Sequence, residues 1–181
     1  MPWTTPPTFS PGAELTADEL NILSDDLNYL KGIADGVSIN GVIVTRAATQ
    51  SISTSTSTTV SFSAEVDDYG GWWSSGTDIV VPAGAIPAGF THILVDIDAE
   101  CRWAANGTGA RVLVIYINGV AQDPGRRMAA VGGGDSTDMG ISRKFKVAAA
   151  DVITLRCYQN SGSSLNISNV VFSCFRYAPA D

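Results

Sequence analysis

Residues 92–121 read HILVDIDAECRWAANGTGARVLVIYINGVA, and this stretch decides the fold that we expect. As far as Trp103, apolar residues alternate with polar ones, which is typical of a strand with one buried and one solvated face. Residues 110–117 are apolar on both faces, so we expect a strand that is buried on both faces. The Asn118-Gly119 pair that follows favours a two-residue hairpin turn.

The sequence on both sides of this stretch contains further short runs of β-forming residues separated by turn residues. The further strands that we expect are 58–66, 79–81, 127–131, 141–147, 152–159, 165–167 and 170–177. With 18 Gly and only 16% charged residues, the composition favours strands and turns over helices. Roughly eight to ten strands, with turns about every 8–12 residues, are typical of a β-sandwich or barrel. We therefore expect residues 58–181 to form one mainly β domain.

Before this domain, residues 16–36 (TADELNILSDDLNYLKGIADG) have the pattern of one short α-helix. Thr16 and Glu19 have the spacing of a capping box, and Gly36 stands where a helix C-cap glycine belongs. Four leucines follow a heptad seam, namely Leu20, Leu23, Leu27 and Leu30. An isolated helix of this length is barely stable in water, so the seam needs a partner, either the rest of the chain or copies of itself. We favour copies, which would make the helix an oligomeric neck.

Two other segments surround this helix. Residues 1–15 are rich in proline, so we expect an extended path without regular structure. Trp3 and Phe9 either fold back onto this protein or dock into another one, and we favour docking because spaced aromatic anchors are a common recognition mode. Residues 37–57 are rich in Ser and Thr, which fits either a flexible linker or an edge strand.

Charge and hydropathy exclude several classes of partner. The formal net charge is −7 with only 11 Lys and Arg, whereas nucleic-acid binding needs concentrated positive charge. The longest apolar run, 112–117, is far shorter than the roughly 18–20 residues of a membrane helix, so we expect no membrane insertion. No Lys or Arg precedes Lys31 and no apolar segment follows the N-terminus, so we expect no secretory signal.

Catalytic and metal sites are also not expected. The single histidine, His92, lies on the polar face of a predicted strand, so we interpret it as a surface residue and not as a catalytic base. The cysteines have no metal-binding spacing and are expected to be buried as small apolar groups; they are Cys101, Cys157 and Cys174. Asp96, Asp98 and Glu100 share one strand face, which we read as solvated, with glycosidase carboxylates or a calcium site as alternatives. We expect no enzyme activity and no cofactor.

Aromatic residues cluster in the Gly-rich loop 67–75. Tyr69, Trp72 and Trp73 have the composition of a stacking platform for a sugar ligand. Tryptophan in such a loop is equally often a lid over the core, and both readings remain open. Burial of both tryptophans against their own chain would exclude the platform.

Residues 60–177 resemble the jelly-roll domains of the tumour-necrosis-factor and complement-head family. The segments that carry the resemblance are GF at 89–90, RVLVIYING at 111–119, KFKV at 144–147, ADVITL at 150–155 and VVFSCF at 170–175. Ala150 stands where the family's turn has glycine. The resemblance implies an antiparallel jelly-roll sandwich that forms compact homotrimers, with an apolar face of each subunit on the threefold axis. Residues 112–117 would supply that face.

The first 30 residues resemble the N-terminal segments of tailed-bacteriophage virion proteins. The motifs are W-T-T-P at 3–6, L-T-A at 15–17, L-N at 20–21 and D-D-L-N-Y-L at 25–30, with Asp26 in place of the common Asn. Such segments anchor a fibre or spike to the particle. The two resemblances together imply a structural virion protein that is made in the host cytoplasm and exposed on the particle exterior.

In this interpretation residues 1–15 bind other virion proteins, 16–36 form a trimeric neck, and 58–181 form a projecting head. The head would be free to bind a glycan or protein on the host surface. The alternative functions are a capsid decoration protein that stabilises the particle without a receptor and, less favoured, a carbohydrate-active enzyme.

Overall fold

A computed structural model describes residues 16–18, 20–24, 27, 39–122 and 125–181. These residues fall into two units. The described helical residues, 17–18, 20–24 and 27, belong to one unit together with Pro87–Gly89, and Ile39–Ile86 with Phe90–Asp181 form the other. The carbonyl of Thr16 accepts a hydrogen bond from the Leu20 N–H at 3.1 Å, which is the i to i+4 bond expected at the start of this helix. The predictions for Trp3, Phe9, Glu19, Leu30 and Gly36 lie outside the described residues.

The larger unit consists of antiparallel strands of 2 to 16 residues joined by turns and loops. The strands are β1 (Gly41–Arg46), β2 (Gln50–Ile52), β3 (Thr58–Thr59), β4 (Ala64–Tyr69), β5 (Ile79–Val80), β6 (His92–Trp103), β7 (Ala110–Ile117), β8 (Val120–Ala121), β9 (Arg126–Ala129), β10 (Thr137–Ala148), β11 (Val152–Gln159) and β12 (Leu165–Ala180). Two short 3-10 turns, Ala83–Ala85 and Gly132–Gly134, lie in the connections. The prediction of a mainly β chain is confirmed.

The strands form two sheets that enclose one core. Sheet A has the order β10-β6-β12-β1-β4, and β2 also pairs with β12. Sheet B has the order β3-β11-β7-β8, with β5 paired to β11 and β9 paired to β7. Neighbouring strands in space are therefore mostly distant in sequence, as in a sandwich with Greek-key connections.

Strand β6 lies in the interior of sheet A, and its predicted alternation is confirmed. The side chains that face the core are at most 2% exposed: Ile93, Val95, Ile97, Ala99, Cys101 and Trp103. The residues between them point to the outer side of the sheet. Because successive strand residues point to opposite faces, the pairing register of β6 determines which face of the sheet each of its twelve side chains occupies.

Strand β7 differs from its prediction on one face. Leu113 and Ile115 are fully buried in the core, but Val112, Val114 and Tyr116 are only half-buried on the outer side of sheet B. The inner face of β7 packs in the core. The outer face is also apolar, but the described part of the chain covers it incompletely. The expectation of burial on both faces is therefore wrong for the single chain.

The hairpin predicted after β7 is confirmed. Tyr116 pairs with Ala121 and Ile117 pairs with Val120, which leaves a loop of two residues. Both loop residues have positive φ angles, +51° at Asn118 and +77° at Gly119, as a type I′ turn requires.

In the described part of the segment 37–57, β1 is neither a linker nor an edge strand, whereas β2 pairs with β12 alone among the described strands, as the edge-strand alternative predicts. Strand β1 pairs with β12 on one side and with β4 on the other, so it is an inner strand. Its Val42 and Val44 are fully buried, which provides the apolar burial that a linker would lack. Strand β2 pairs with β12 as well, and only residues 53–57 connect it to β3. The sandwich therefore begins at about residue 39 and not at residue 58.

The single strand expected at 58–66 is divided between the two sheets. Strand β3 belongs to sheet B and β4 to sheet A, so the chain crosses from one sheet to the other within this segment. Val60 and Phe62 enter the core during the crossing, whereas Val66 is 58% exposed. The alternation of apolar residues continues through the segment, but it does not mark one continuous face.

Candidate functional site

The predicted aromatic platform is not formed, because Trp72 is a core residue. Its side chain is 1% exposed, and its indole N–H donates to the Asn40 Oδ1 at 2.7 Å. Trp73 is partly buried against the same core. Tyr69 is 45% exposed. Of the two readings, Trp72 follows the lid over the core, and a platform that includes its ring is not formed.

A single carboxylate organises this loop. Asp68 accepts three backbone N–H bonds, from Gly71 at 3.0 Å and Trp72 at 2.9 Å on Oδ1, and from Trp73 at 3.0 Å on Oδ2. These bonds turn the chain so that the Trp72 ring enters the core. The bond between Trp72 and Asn40 then links the loop to the start of β1.

The acidic residues of β6 do not converge on a metal site. Asp96 accepts a hydrogen bond from Lys144 at 2.7 Å, and this bond is the main cause of the raised pKa of Lys144. The Lys144 ammonium also lies 3.9 Å from the centre of the Tyr177 ring. Asp98 and Glu100 are exposed, and nowhere in the described ranges do three His, Cys, Asp or Glu side chains gather as metal ligands would.

A second ion pair lies at the other end of β6. Arg102 binds Asp138 through two parallel bonds, Nε to Oδ1 at 2.8 Å and Nη2 to Oδ2 at 3.0 Å. The hydrogen bond from Arg102 lowers the pKa of Asp138. The pair borders a shallow polar depression next to Glu100 and Gly140. Both partners are exposed, so solvent screens this pair.

The side chains considered for nucleophilic chemistry are placed as structural or surface groups. The His92 Nδ1 lies 2.8 Å from the Thr91 hydroxyl. All three cysteines are buried and free, as expected. The hydrogen bond to Cys101, together with burial, raises the pKa of the Cys157 thiol, and burial raises the pKa of Cys174. A buried thiol with a raised pKa is a poor nucleophile.

The leucines of the proposed neck can be followed in part. Leu20 is 50% exposed and Leu27 is 65% exposed, while Leu23 is half-buried. In the single chain the described part of the seam is therefore largely uncovered.

No helix among the described residues is long and apolar enough to cross a membrane.

The two sheets differ in their charge, a feature that the sequence analysis missed. The strands of sheet A carry seven carboxylates and six basic groups: Glu65, Asp67, Asp68, Asp96, Asp98, Glu100 and Asp138, with Arg46, Arg102, Arg143, Lys144, Lys146 and Arg176. The strands of sheet B carry no carboxylate and four arginines: Arg111, Arg126, Arg127 and Arg156. This difference becomes visible only when each strand is assigned to its sheet.

Comparison with known proteins identifies the fold. No family model and no curated protein matches the sequence. Among solved structures, the globular domain of the zebrafish complement 1qA protein matches 78% of this chain and 99% of its own, with a TM-score of 0.53 and 11% identity. A crystal structure of murine APRIL matches 77% of this chain and all of its own, with a TM-score of 0.52 and 14% identity. Identities this low concern the fold alone: the chain has the jelly-roll sandwich of the tumour-necrosis-factor and complement-head domains, as predicted.

Proposed function

We propose that the protein is a structural virion protein of a tailed bacteriophage, a homotrimeric fibre or spike without enzyme activity. In this proposal residues 1–15 bind other virion proteins, residues 16–36 form the neck, and the jelly-roll head projects from the particle. The observation that carries this proposal is the combination of the head fold with an N-terminus that resembles virion-anchoring segments. The protein is made in the host cytoplasm and is exposed on the exterior of the particle.

The outer face of sheet A supports assembly of three heads. It presents large apolar side chains on β4 and β12: Tyr69, Val171, Phe175 and Tyr177. Val171 is 42% exposed and Tyr177 is 64% exposed in the single chain. Exposed apolar groups that lie together usually mark a contact surface.

Charge favours the same face over that of sheet B. Copies related by a threefold axis bring the same face of each subunit together. If sheet B lay on the axis, three copies each of Arg127 and Arg156 would approach one another without a carboxylate from its strands. The outer face of sheet A carries charges of both signs, and two pairs of them, Lys144 with Asp96 and Arg102 with Asp138, are already formed within one subunit, so its approach to the axis brings carboxylates and cations together. We therefore place the outer face of sheet A, and not residues 112–117, at the subunit contact.

The mass of the full chain in solution tests the trimer. Light scattering should give three times the chain mass of 18.9 kDa at micromolar concentration. The mass of a single chain would refute the trimer, and the mass of a dimer or tetramer would refute the threefold symmetry.

Incorporation into particles tests the anchor separately. Deletion of residues 1–15 should leave the circular dichroism of the head unchanged and abolish incorporation, because the docking residues Trp3 and Phe9 are removed. Incorporation of the truncated protein at the normal level would contradict the anchoring role.

A further inference from the structure

The outer side of sheet B has the composition of a binding surface. Six side chains from three neighbouring strands form it, and we call them the arginine–tyrosine face: Val112, Val114, Tyr116, Arg127, Arg156 and Tyr158. Tyrosine and arginine are enriched at the centres of interfaces, where they combine a large apolar area with polar ends.

The strand register places these residues in rows across the sheet. Tyr158 pairs with Val112, and Val112 pairs with Arg127, so the first row ends in a ring on one side and a guanidinium on the other. In the next row Arg156 pairs with Val114. Adjacent strands lie about 4.8 Å apart, so the two ends of the first row are about 10 Å apart. A ligand of two or three sugar rings has this dimension.

Arg156 is held in position by its neighbours. Its guanidinium carbon lies 4.1 Å from the centre of the Tyr116 ring, a cation–π contact. Its Nε is buried without a hydrogen-bond partner in the described structure. The ring therefore fixes the direction of the guanidinium before any ligand arrives, which reduces the entropy lost on binding.

The cationic groups of this face have no anionic partner within the part of the chain that the structure describes. Neither Arg127 nor Arg156 forms an ion pair there, and no Asp or Glu occurs in the strands of sheet B. Arg111, in the same sheet, is different because it is fully buried and donates to the carbonyls of Thr108 and Asn106. The whole chain has a net charge of −7, which disfavours the approach of anionic molecules. Within the arginine–tyrosine face the local charge is positive, so anionic partners are attracted there.

We propose that the arginine–tyrosine face binds an anionic polysaccharide, that is, a glycan with sulfate, phosphate or carboxylate groups. Arg127 and Arg156 bind the anionic groups through paired N–H donors, and the Tyr116 and Tyr158 rings contact the apolar faces of the sugars. The valines between them give a flat apolar floor on which a sugar chain can lie. This proposal rests on the proposed function, in which sheet A lies at the subunit contact and sheet B faces outward.

Binding of the full-length protein to defined polymers tests the proposal. The probes are a heparin hexasaccharide as the anionic glycan, dextran as the neutral glycan, and poly-L-glutamate as an anionic peptide, each followed by titration calorimetry. We expect binding to the hexasaccharide alone, and we expect it to weaken as NaCl is raised from about 50 to 500 mM because salt screens the charges.

Matched substitutions locate the site. Arg127→Gln and Arg156→Gln should each weaken binding about tenfold, the range for loss of a hydrogen bond between charged groups. Arg126→Gln removes the same charge at the neighbouring exposed position, which pairs with the core residue Leu113 and so lies on the other side of sheet B, and it should change binding less than about twofold. Arg127 is exposed, so Arg127→Gln should leave the fold intact. It remains a valid test even if Arg156→Gln, which removes the stacking on Tyr116, destabilises the protein.

Several results would overturn the proposal. Absence of hexasaccharide binding, equal binding of poly-L-glutamate, or an equal effect of Arg126→Gln would each do so. Light scattering on the same samples keeps the two proposals apart. A trimer that binds no anionic glycan would refute only the face and would favour a decoration protein, whereas a monomer that binds it would refute only the trimer.

Discussion

At the scale of single residues, the turn between β10 and β11 contains a local conflict. Ala150 has a φ of +67°, a left-handed conformation that costs an L-residue about 1–2 kcal/mol. The turn is held there by Asp151, whose carboxylate accepts from the Ala148 N–H at 2.7 Å and from the Asn118 side chain at 2.7 Å. The hydrogen bonds of its neighbour therefore keep Ala150 in an unfavourable conformation.

Replacement of this residue should stabilise the protein. Ala150→Gly removes the steric cost, and after the larger chain entropy of glycine in the unfolded state about 0.5–1 kcal/mol of stabilisation should remain. Ala149→Gly is the matched control and should destabilise, because Ala149 is not among the positive-φ positions. Urea unfolding of both variants decides the matter, and equal destabilisation would contradict the assignment.

Asp68 permits a second prediction at this scale. Asp68→Ala removes the acceptor of three backbone N–H groups, two of them on partly buried residues, and should destabilise by about 2–3 kcal/mol. Asp68→Asn retains one acceptor oxygen and should destabilise less. Asp67→Ala removes a neighbouring carboxylate for which no hydrogen bond is seen in the described structure and serves as the control. Urea unfolding followed by tryptophan fluorescence measures all three, and an equal loss in Asp67→Ala would exclude the role given to Asp68.

At the scale of secondary-structure elements, β1 begins with a glycine, Gly41, that leaves no room for a side chain beside β12. A Cβ atom at Gly41 would overlap the carbonyl oxygen of Cys174 and the Phe175 side chain. Gly41→Ala should therefore force the two strands apart and destabilise by about 2–3 kcal/mol. Gly71→Ala is the control, because open space surrounds that position and only its φ of +76° opposes a side chain, at about 1 kcal/mol. Thermal unfolding should rank Gly41→Ala as the more damaging variant, and the reverse order would be incompatible with a close strand contact.

Elements differ in how far the sequence predicts them. The alternation in β6 and the Asn118-Gly119 turn are local patterns, and both are confirmed. The internal position of β1 depends on its pairing with β12, which lies at the opposite end of the chain. A local sequence pattern contains no information about this pairing. The role of Trp72 depends in the same way on its bond to Asn40. Local patterns therefore predict strands and turns, whereas long-range pairing decides which strands are internal and which tryptophans are buried.

The arginine–tyrosine face shows the same limit for the candidate site. Its residue types can be read from the sequence, but Arg127 and Arg156 belong to strands that are brought together by pairing on either side of β7. Without the register, Arg126-Arg127 is only a charged pair in a loop-rich region. The face becomes a candidate site once sheet B is known to contain no carboxylate in its strands.

At the scale of the whole molecule, the two sheets have different surfaces, and this difference predicts how copies assemble. The outer face of sheet A combines exposed apolar groups with charges of both signs, two pairs of which are formed within the subunit, so carboxylates and cations of neighbouring copies can pair when it is buried. In the strands of sheet B the only charged residues are arginines, which stand beside apolar residues. A trimer built on sheet A would leave three copies of the arginine–tyrosine face directed outward, where several weak contacts to one polymer would add up.

A matched pair of substitutions tests this arrangement. Val171→Asp places a carboxylate on the outer face of sheet A, where Val171 already pairs with Glu100, and burial of that charge at the contact should convert the trimer to single chains. Val120→Asp introduces the same charge in the β7–β8 hairpin of sheet B, at a residue that is 63% exposed, and the trimer should persist. Light scattering gives the mass, and circular dichroism shows that each variant is folded. If Val120→Asp dissociated the trimer and Val171→Asp did not, the subunit contact would lie at the β7–β8 hairpin of sheet B and not on the outer face of sheet A.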